Sequence, residues 1–166
     1  MNSSEYLNEE SRSFALYVLY DRAIPNFTDG LKPSGRRVLW VAKNGEKFKA
    51  ATLAGSAMRY HPHAPPEDAI NSLSAKYNTN ISLFKGDGAF GTMLAPNVFG
   101  ASRYVSVTVS KFCKDNLFKD IEIIPLKENY DSTCMEPVHF LPLIPMACLN
   151  PQSGIGVGFA SNILGR

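Results

Sequence analysis

The sequence predicts one α+β domain, and three features of the chain carry this prediction. The first half contains short segments of helical periodicity that end at proline or glycine, as at Pro25 and Gly45. After Asn80 the pattern changes to short alternating segments separated by glycine. The 166 residues, of which 45% are apolar and 19% charged, suffice for one buried core. Helices followed by strands are typical of the α+β class.

Four helices are expected in the first half, over residues 3–21, 33–43, 46–59 and 67–77. Ser3 or Ser4 can cap the first helix, and Pro25 follows its end. Pro33 near the start of the second helix and Gly45 just past its end follow the usual asymmetry of helix termini. Short helices with tight breaks, followed by strands, suggest a helix-turn-helix with a wing, in which the third and fourth helices face DNA. Periodicity alone also allows other small α+β folds.

The second half is expected to be mostly extended. Strands are predicted over 81–84, 103–109, 121–124 and 154–158, with a loop over 86–100, a helix from Ser110 to Leu117 and an irregular connector over 136–150. The alternation of glycine with Ile155 and Val157 suits a strand that another backbone or a ligand approaches closely. We therefore expect a helical arm over 1–25, a winged-helix domain over 26–125, and over 126–166 a connector that leads towards a further domain.

Composition narrows the class of protein. No apolar run approaches the roughly 20 residues of a membrane span, and the polar N-terminus is unlike a secretory signal. Three widely spaced cysteines without metal-ligand spacing indicate reduced thiols and a cytoplasmic location. The net charge is only +2, but basic residues crowd between positions 32 and 59. Such a stretch is what contact with phosphates requires, although a solvated helix face gives the same pattern.

Tyr104, directly after Arg103, is the candidate nucleophile. A phenol has a pKa near 10, so attack on a phosphodiester needs a positive environment or a metal ion. Arg103 supplies a charge, but neighbours on a strand point to opposite faces, so both reach one phosphate only if they lie where a loop meets the strand. The alternative is a tyrosine that anchors the edge of a strand.

This Arg-Tyr pair belongs to a series of motifs in a fixed order. The others are Asp29-Gly30-Leu31-Lys32-Pro33, Arg36-Arg37, Tyr60-His61-Pro62-His63, Gly86-Asp87-Gly88-Ala89-Phe90-Gly91, Asn129-Tyr130-Asp131 and Ser153-Gly154-Ile155-Gly156-Val157-Gly158. In this order and spacing the chain resembles the DNA-cleaving subunit of type II topoisomerases. The similarity extends to the gyrase A and topoisomerase IV A subunits and is greatest to the medium subunit of T-even-type bacteriophage enzymes.

The resemblance implies a catalytic role for five residues. The phenol of Tyr104, beside Arg103, would attack a DNA phosphate and become linked to the 5′ end of the broken strand. Arg22, in the motif Arg-Ala-Ile-Pro, would stabilise the charge that develops on the phosphate. His61 would hydrogen-bond the phosphate or transfer a proton to the leaving 3′ oxygen, and Arg37 would lie near the reacting phosphate. For Arg22 the alternative is a surface arginine near a helix end.

Further positions are implied to hold DNA. Lys32, Arg36 and His63 match backbone-binding positions, and Lys49 lies in the same basic stretch. Ile155 matches an isoleucine that wedges between base pairs and bends the duplex, at a cost of a few kcal/mol for unstacking. Without the resemblance, a residue of a core strand would be the preferred interpretation of Ile155.

The chain departs from the family pattern in several places. His63 is followed by Ala64-Pro65-Pro66 instead of Gly and an acid, in the segment where quinolones anchor in gyrase, so weak or absent sensitivity by that route is expected. Gly35 replaces the usual histidine before the paired arginines, and the glycine loop is altered. The chain contains no P-loop, and Asp120 and Glu122 are the nearest local acids, better interpreted as solvated.

The resemblance also implies partners and cofactors. Mg²⁺ and ATP would be bound by a large partner subunit, and another chain would carry the tower and coiled-coil domains. Double-stranded DNA would be the substrate of a dimeric assembly, and the chain would be a split-gene product or a fragment. The alternatives are a winged-helix DNA-binding module that does not cut, and a piece that docks on the large subunit.

Overall fold

A computed structural model describes residues 2–45, 47–62 and 66–165 and confirms the α+β class. The α-helices are α1 (Ser3–Val18), α2 (Pro33–Val41), α3 (Ala50–Met58), α4 (Glu67–Ser74) and α5 (Lys111–Asn116). The strands are β1 (Lys47–Lys49), β2 (Phe84–Asp87), β3 (Phe90–Thr92), β4 (Ala95–Phe99), β5 (Ser106–Val109), β6 (Leu126–Glu128), β7 (Met135–Pro137), β8 (Gln152–Ile155) and β9 (Ala160–Ile163). A π-helical segment, Leu19–Ala23, continues α1, and short 3₁₀ turns span Ala42–Asn44 and Met146–Cys148.

The core forms where α2, α3 and α4 pack against one another and against a sheet. Leu39 of α2, Leu53 of α3, Ile70 of α4 and Val107 of β5 are each 0% exposed. Burying a side chain of this size stabilises the fold by about 1.5–3 kcal/mol. The apolar sides of the three helices thus meet one another and the sheet.

The central sheet is antiparallel, with strand order β1-β5-β2. Phe48 of β1 lies opposite Val107 of β5, and Phe84 of β2 lies opposite Val109, on the side that joins the core. The remaining strands pair as three antiparallel hairpins, β3–β4, β6–β7 and β8–β9. The sheet therefore closes one side of the three-helix cluster, with β5 at its centre.

Two helix starts differ from the sequence prediction. Asn2 caps α1 instead of Ser3 or Ser4, because its backbone N–H donates to Glu5 Oε2 at 2.9 Å in a capping box. The third helix begins at Ala50, not at position 46, because residues 47–49 pair with β5 instead. The hydrogen bond from Ala50 N to Val105 O then fixes the first turn of α3.

The strands also differ in part. The segment predicted as a loop over 86–100 contains the β3–β4 hairpin, which Tyr77 supports by donating from its hydroxyl to Pro96 O at 2.7 Å. The strand predicted at 81–84 lies at Phe84–Asp87, and residues 121–124 form turns instead of a strand. The helix predicted after Ser110 is confirmed, with the Ser110 hydroxyl accepting from Cys113 N at 3.1 Å.

The β8–β9 hairpin packs on the π-helical segment. A Cβ placed on Gly154 would collide with the backbone of Ala23, so the close approach predicted for this strand is confirmed. The strand predicted over 154–158 ends at Ile155, however, because residues 156–159 form the turn that leads into β9. The three cysteines are free, as expected. In the part of the chain that the structure describes, no helix is long and apolar enough to cross a bilayer.

Candidate functional site

Tyr104 lies in a turn, residues 102–104, immediately before β5. The backbone of this turn is tied to the start of α3, since Ala51 N donates to Ser102 O and Ala50 N donates to Val105 O, both at 3.1 Å. The N–H groups of the first turn of a helix have no partner within the helix, and here the loop satisfies two of them. Main-chain hydrogen bonds therefore hold the turn in place, and these bonds do not depend on its side chains.

The side chain of Tyr104 is exposed, and two cations contact this residue. The side chain is 70% accessible, and the Arg103 guanidinium lies 4.9 Å from the centre of its ring. Lys49 donates from Nζ to the carbonyl oxygen of Tyr104 at 3.0 Å. Because the pair lies in a turn and not within a strand, Arg103 and Tyr104 share one side. An accessible hydroxyl on a residue that two cations contact, one at its ring and one at its main chain, can receive a phosphate diester.

A second group of predicted residues gathers around Asp21, in the π-helical segment. One carboxylate oxygen of Asp21 lies 3.8 Å from Arg37 Nη2 and 3.8 Å from His61 Nε2. His61 Nε2 is also 3.0 Å from the Tyr17 hydroxyl, and its ring lies 5.7 Å from that of Tyr130. Asp21 thus links the arginine and the histidine that were predicted to act on the phosphate.

Glu136 fixes the orientation of Arg37. Arg37 donates from Nε to Glu136 Oε2 at 2.6 Å and from Nη2 to Oε1 at 3.0 Å. Glu136 is only 3% exposed, and Lys127 Nζ lies 3.5 Å from its Oε1. A two-pronged pair of this kind holds the guanidinium plane in one direction. Its Nη1 edge is not engaged by this pair.

Three further predicted residues lie around the same π-helical segment. Arg22 is exposed between Asp21 and Ala23, and Ala23 contacts the β8–β9 hairpin. Lys32 donates from Nζ to Ser153 O in this hairpin, and partial burial lowers the pKa of the Lys32 ammonium. Ile155, two residues further along β8, is 83% exposed. It is therefore not the core strand residue that the sequence alone would favour.

Arg36 occupies a different position from the other cations. It is 6% exposed and donates from Nε and Nη2 to the two carboxylate oxygens of Asp29, at 2.7 and 2.9 Å, and from Nη2 to Leu31 O. This geometry places Arg36 in the core of the domain instead of on its surface. His63, which was also predicted to hold DNA, lies outside the described residues.

The predicted residues thus fall into two groups, one at each end of α3. Tyr104 is tied to the start of α3, and His61 follows its last residue, Met58, by three positions. At a rise of 1.5 Å per residue the two ends are roughly 14 Å apart. Arg103 and Lys49 contact Tyr104, whereas Arg37 and His61 both lie near Asp21, the residue before Arg22.

Several of the polar residues in these groups carry no signal in the sequence. Periodicity assigns Asp21 only to the first helix, and Glu136 lies 99 positions from the arginine that it holds. Tyr17 fits an apolar helix face, yet its hydroxyl meets His61. No local spacing reveals such partners; only a conserved acid in an alignment would have done so. Among the described residues, no three His, Cys, Asp or Glu side chains come together as metal ligands.

Comparison with known proteins shows the family of this chain. A family model for the A subunit of DNA gyrase/topoisomerase IV matches residues 22–165. The chain is 36% identical over 167 residues to the DNA topoisomerase medium subunit of Enterobacteria phage T4, covering 95% of this chain and 37% of that protein. It is 34% identical to the A subunit of DNA topoisomerase 4 from Mycoplasma pneumoniae, covering 90% of this chain and 20% of that protein.

The A subunit of DNA gyrase from Thermotoga maritima is also 34% identical, covering 94% of this chain and 21% of the relative. The chain therefore spans between a fifth and two fifths of the length of these relatives. The match extends from Arg22 through the turn that carries Tyr104 to the β8–β9 hairpin. The resemblance drawn from the sequence motifs is confirmed, and the chain belongs to the family of DNA gyrase/topoisomerase IV A subunits.

Proposed function

We propose that this chain is the tyrosine-bearing part of a type II DNA topoisomerase, which breaks and rejoins DNA strands. The observation that carries the proposal is the exposed phenol of Tyr104, with Arg103 beside its ring and Lys49 on its backbone carbonyl, in a turn that main-chain hydrogen bonds hold in place. Membership of the gyrase/topoisomerase IV family supports the same interpretation. A tyrosine that merely anchored a strand edge would be covered by neighbours, whereas this one is open to solvent.

The proposed chemistry is a reversible transfer of a phosphoryl group. The Tyr104 oxygen loses its proton and attacks a DNA phosphorus, forming an O–P bond while the bond to the 3′ oxygen breaks. The leaving 3′ oxygen takes up a proton, and the 5′ phosphate stays on the tyrosine. Because one phosphodiester replaces another, the reverse attack by the 3′ hydroxyl reseals the strand without a separate energy source.

The proposed fold of this part is a winged helix. The three-helix cluster α2–α4 supplies the helix-turn-helix, and the β1-β5-β2 sheet with the β3–β4 hairpin supplies the wing. In this arrangement the turn with Tyr104 joins the wing to the central strand. The wing and the nucleophile would then meet the same stretch of duplex.

The separation of the two groups along α3 supports a dimeric assembly. A phosphate at Tyr104 would be separated from the cluster of Arg37 and His61 by the length of α3, roughly 14 Å. We infer that these cations act on a phosphate held by the tyrosine of a second copy. His61 would then supply or accept a proton at the 3′ oxygen, while Asp21 and Glu136 hold His61 and Arg37 in position.

The remaining assignments complete the proposal. Ile155, exposed on β8, would wedge into the duplex, and Arg22 and Lys32 would meet the adjacent phosphates. A large partner subunit would bind Mg²⁺ and ATP, and a further chain would supply the tower and coiled-coil domains. Such an assembly would change the topology of DNA in the cytoplasm, which for a viral protein is that of the host.

Covalent trapping tests this proposal. The chain, Mg²⁺ and the partner subunit are incubated with 5′- or 3′-end-labelled duplex, and the reaction is stopped with detergent. We expect protein attached to 5′ ends, absent for Tyr104→Phe and retained for Tyr6→Phe, an exposed tyrosine on α1. A full signal from Tyr104→Phe would refute the assignment of the nucleophile.

A docking role is the second candidate, and one observation favours it. Along α1, Val18 is the one buried residue, whereas Leu7 and Phe14 are 63% and 60% exposed. An apolar helix face left open in this way is typical of a surface that a partner covers. Failure of both DNA binding and trapping would favour docking, and salt-sensitive binding without trapping would favour a DNA-binding module that does not cut.

A further inference from the structure

The solvent face of the central sheet is strongly basic at its edges. Lys47 of β1 and Lys85 of β2 both lie opposite Thr108 of β5, and Lys49 and Asp87 both lie opposite Ser106. Residues directly opposite one another in a sheet point to the same face. The three lysines and Asp87 therefore project together, on the side away from the buried core strand residues.

These charges interact with one another. Lys47 Nζ lies 2.5 Å from Asp87 Oδ2, and both side chains are more than half exposed. The hydrogen bond and charge of Lys47 lower the pKa of the Asp87 carboxyl, and Lys49 and Lys85 act on it in the same direction. The Nζ of Lys49 donates a hydrogen bond to the backbone carbonyl of Tyr104. Lys85, opposite Thr108, is exposed beside them.

The neighbouring hairpin does not offset this charge. From Gly88 to Ser102 the sequence has no charged side chain, so the wing next to the sheet is neutral. Asp87 is the acid on this face, and it holds Lys47. A cluster of like charges on short strands is unfavourable unless an anion relieves the repulsion. The arrangement thus suits a polyanion that passes over the sheet to reach Tyr104.

We propose that Lys47, Lys49 and Lys85 form a phosphate-binding face that continues the path of DNA from Tyr104 across the sheet, with Asp87 limiting its affinity. This inference rests on the proposed function. Lys47 and Lys49 are about 6.7 Å apart along β1, and Lys47 and Lys85 are about 10 Å apart across β5. A DNA strand carries one phosphate per about 3.4 Å of rise, so the three ammonium groups can meet separate phosphates.

The experiment measures how binding of the full chain to a fluorescent duplex depends on salt, between about 50 and 200 mM. Each phosphate contact contributes about 0.9 to the slope of log K against log salt. Lys85→Gln should lower the magnitude of this slope by about 0.9. Between about 50 and 200 mM salt the variant should therefore lose about 3.5-fold less affinity than the unmodified chain. Asp87→Asn frees Lys47 and should raise both affinity and slope. Lys119→Gln, an exposed lysine outside this face, is the matched control.

The two variants are expected to change the slope in opposite directions, which distinguishes the proposed effect from misfolding. A misfolded Asp87→Asn variant would not bind DNA more tightly. Suppose that the unmodified chain binds duplex and that Lys85→Gln and Asp87→Asn both show its salt dependence unchanged. The phosphate-binding face is then refuted, and the proposed function stands. If the unmodified chain does not bind duplex even at the lowest salt concentration, both proposals fail.

Discussion

Replacement of Asp29 by alanine should destabilise the domain more than any other single charge removal. Asp29 is 0% exposed and accepts four hydrogen bonds. Two come from Arg36, at 2.7 and 2.9 Å, and two from the backbone N–H groups of Leu31 and Phe140, both at 3.0 Å. The carboxylate thereby joins the loop before α2, the helix itself and the segment after β7.

The magnitude follows from the burial of the pair. Removing Asp29 leaves the Arg36 guanidinium, 6% exposed, without its anion. Breaking a buried pair in this way costs about 3–5 kcal/mol. A sum of about 1.5–3 kcal/mol for each of the four hydrogen bonds would be larger than this figure. The sum does not apply, because the contributions of hydrogen bonds within one network are not additive. A loss of about 3–5 kcal/mol is a large part of the roughly 5–15 kcal/mol that stabilises a domain.

Urea denaturation measures this loss. With a slope of about 2 kcal/mol per M, the midpoint should fall by about 1.5–2.5 M. Lys111→Ala is the control, since it removes an exposed pair with Asp115, 3.2 Å apart on α5, and should change the free energy of unfolding by less than about 1 kcal/mol. A double variant, Asp29→Leu with Arg36→Met, should recover only part of the loss, because two backbone N–H groups stay unsatisfied. If Asp29→Ala costs under about 1 kcal/mol, the reasoning from burial is wrong.

Three further predictions concern backbone contacts and thiols. Gly154→Ala should lower the free energy of unfolding by about 1–3 kcal/mol, because the added methyl meets the backbone of Ala23, and thermal unfolding monitored by circular dichroism measures this. Gly55→Ala, in the middle of α3 with open space where the added methyl would lie, should instead raise it by about 0.5–1 kcal/mol in the same assay, and a decrease would contradict the helix assignment. Burial raises the pKa of the Cys113 thiol to about 12, so iodoacetamide at mildly alkaline pH should label exposed Cys148 and spare Cys113, as mass spectrometry of the folded protein can show. Equal labelling of both cysteines would mean that α5 opens readily.

The elements that the sequence predicts well are those with local signals. Pro33 and Gly45 bracket α2, and Gly45 adopts the left-handed conformation expected after a helix, with φ of 74°. Ser110 caps α5 by its side chain, again within four residues. In such places the residues that decide the structure are neighbours along the chain, so their spacing can be read directly.

The elements that the sequence predicts poorly depend on distant partners. The three residues of β1 are a strand only because β5, about 60 positions later, pairs with them. The β3–β4 hairpin is short and lies between Gly88 and Gly100, so its residues resemble a loop until Tyr77 supports it. Arg36 resembles a surface cation for the same reason, since nothing near it in the sequence shows that Asp29 is buried with it.

Because main-chain hydrogen bonds hold the turn before β5, the position of residue 104 does not depend on its side chain. Since Ala50 and Ala51 hold this turn through backbone N–H groups, the residue at position 104 can change without moving the loop. Fluorinated tyrosines, whose phenols are more acidic, could therefore be introduced at position 104 by genetic code expansion with little disturbance of folding. Under the proposed function, a series of such analogues would relate the acidity of the phenol at position 104 to the balance between broken and rejoined DNA, with geometry held constant.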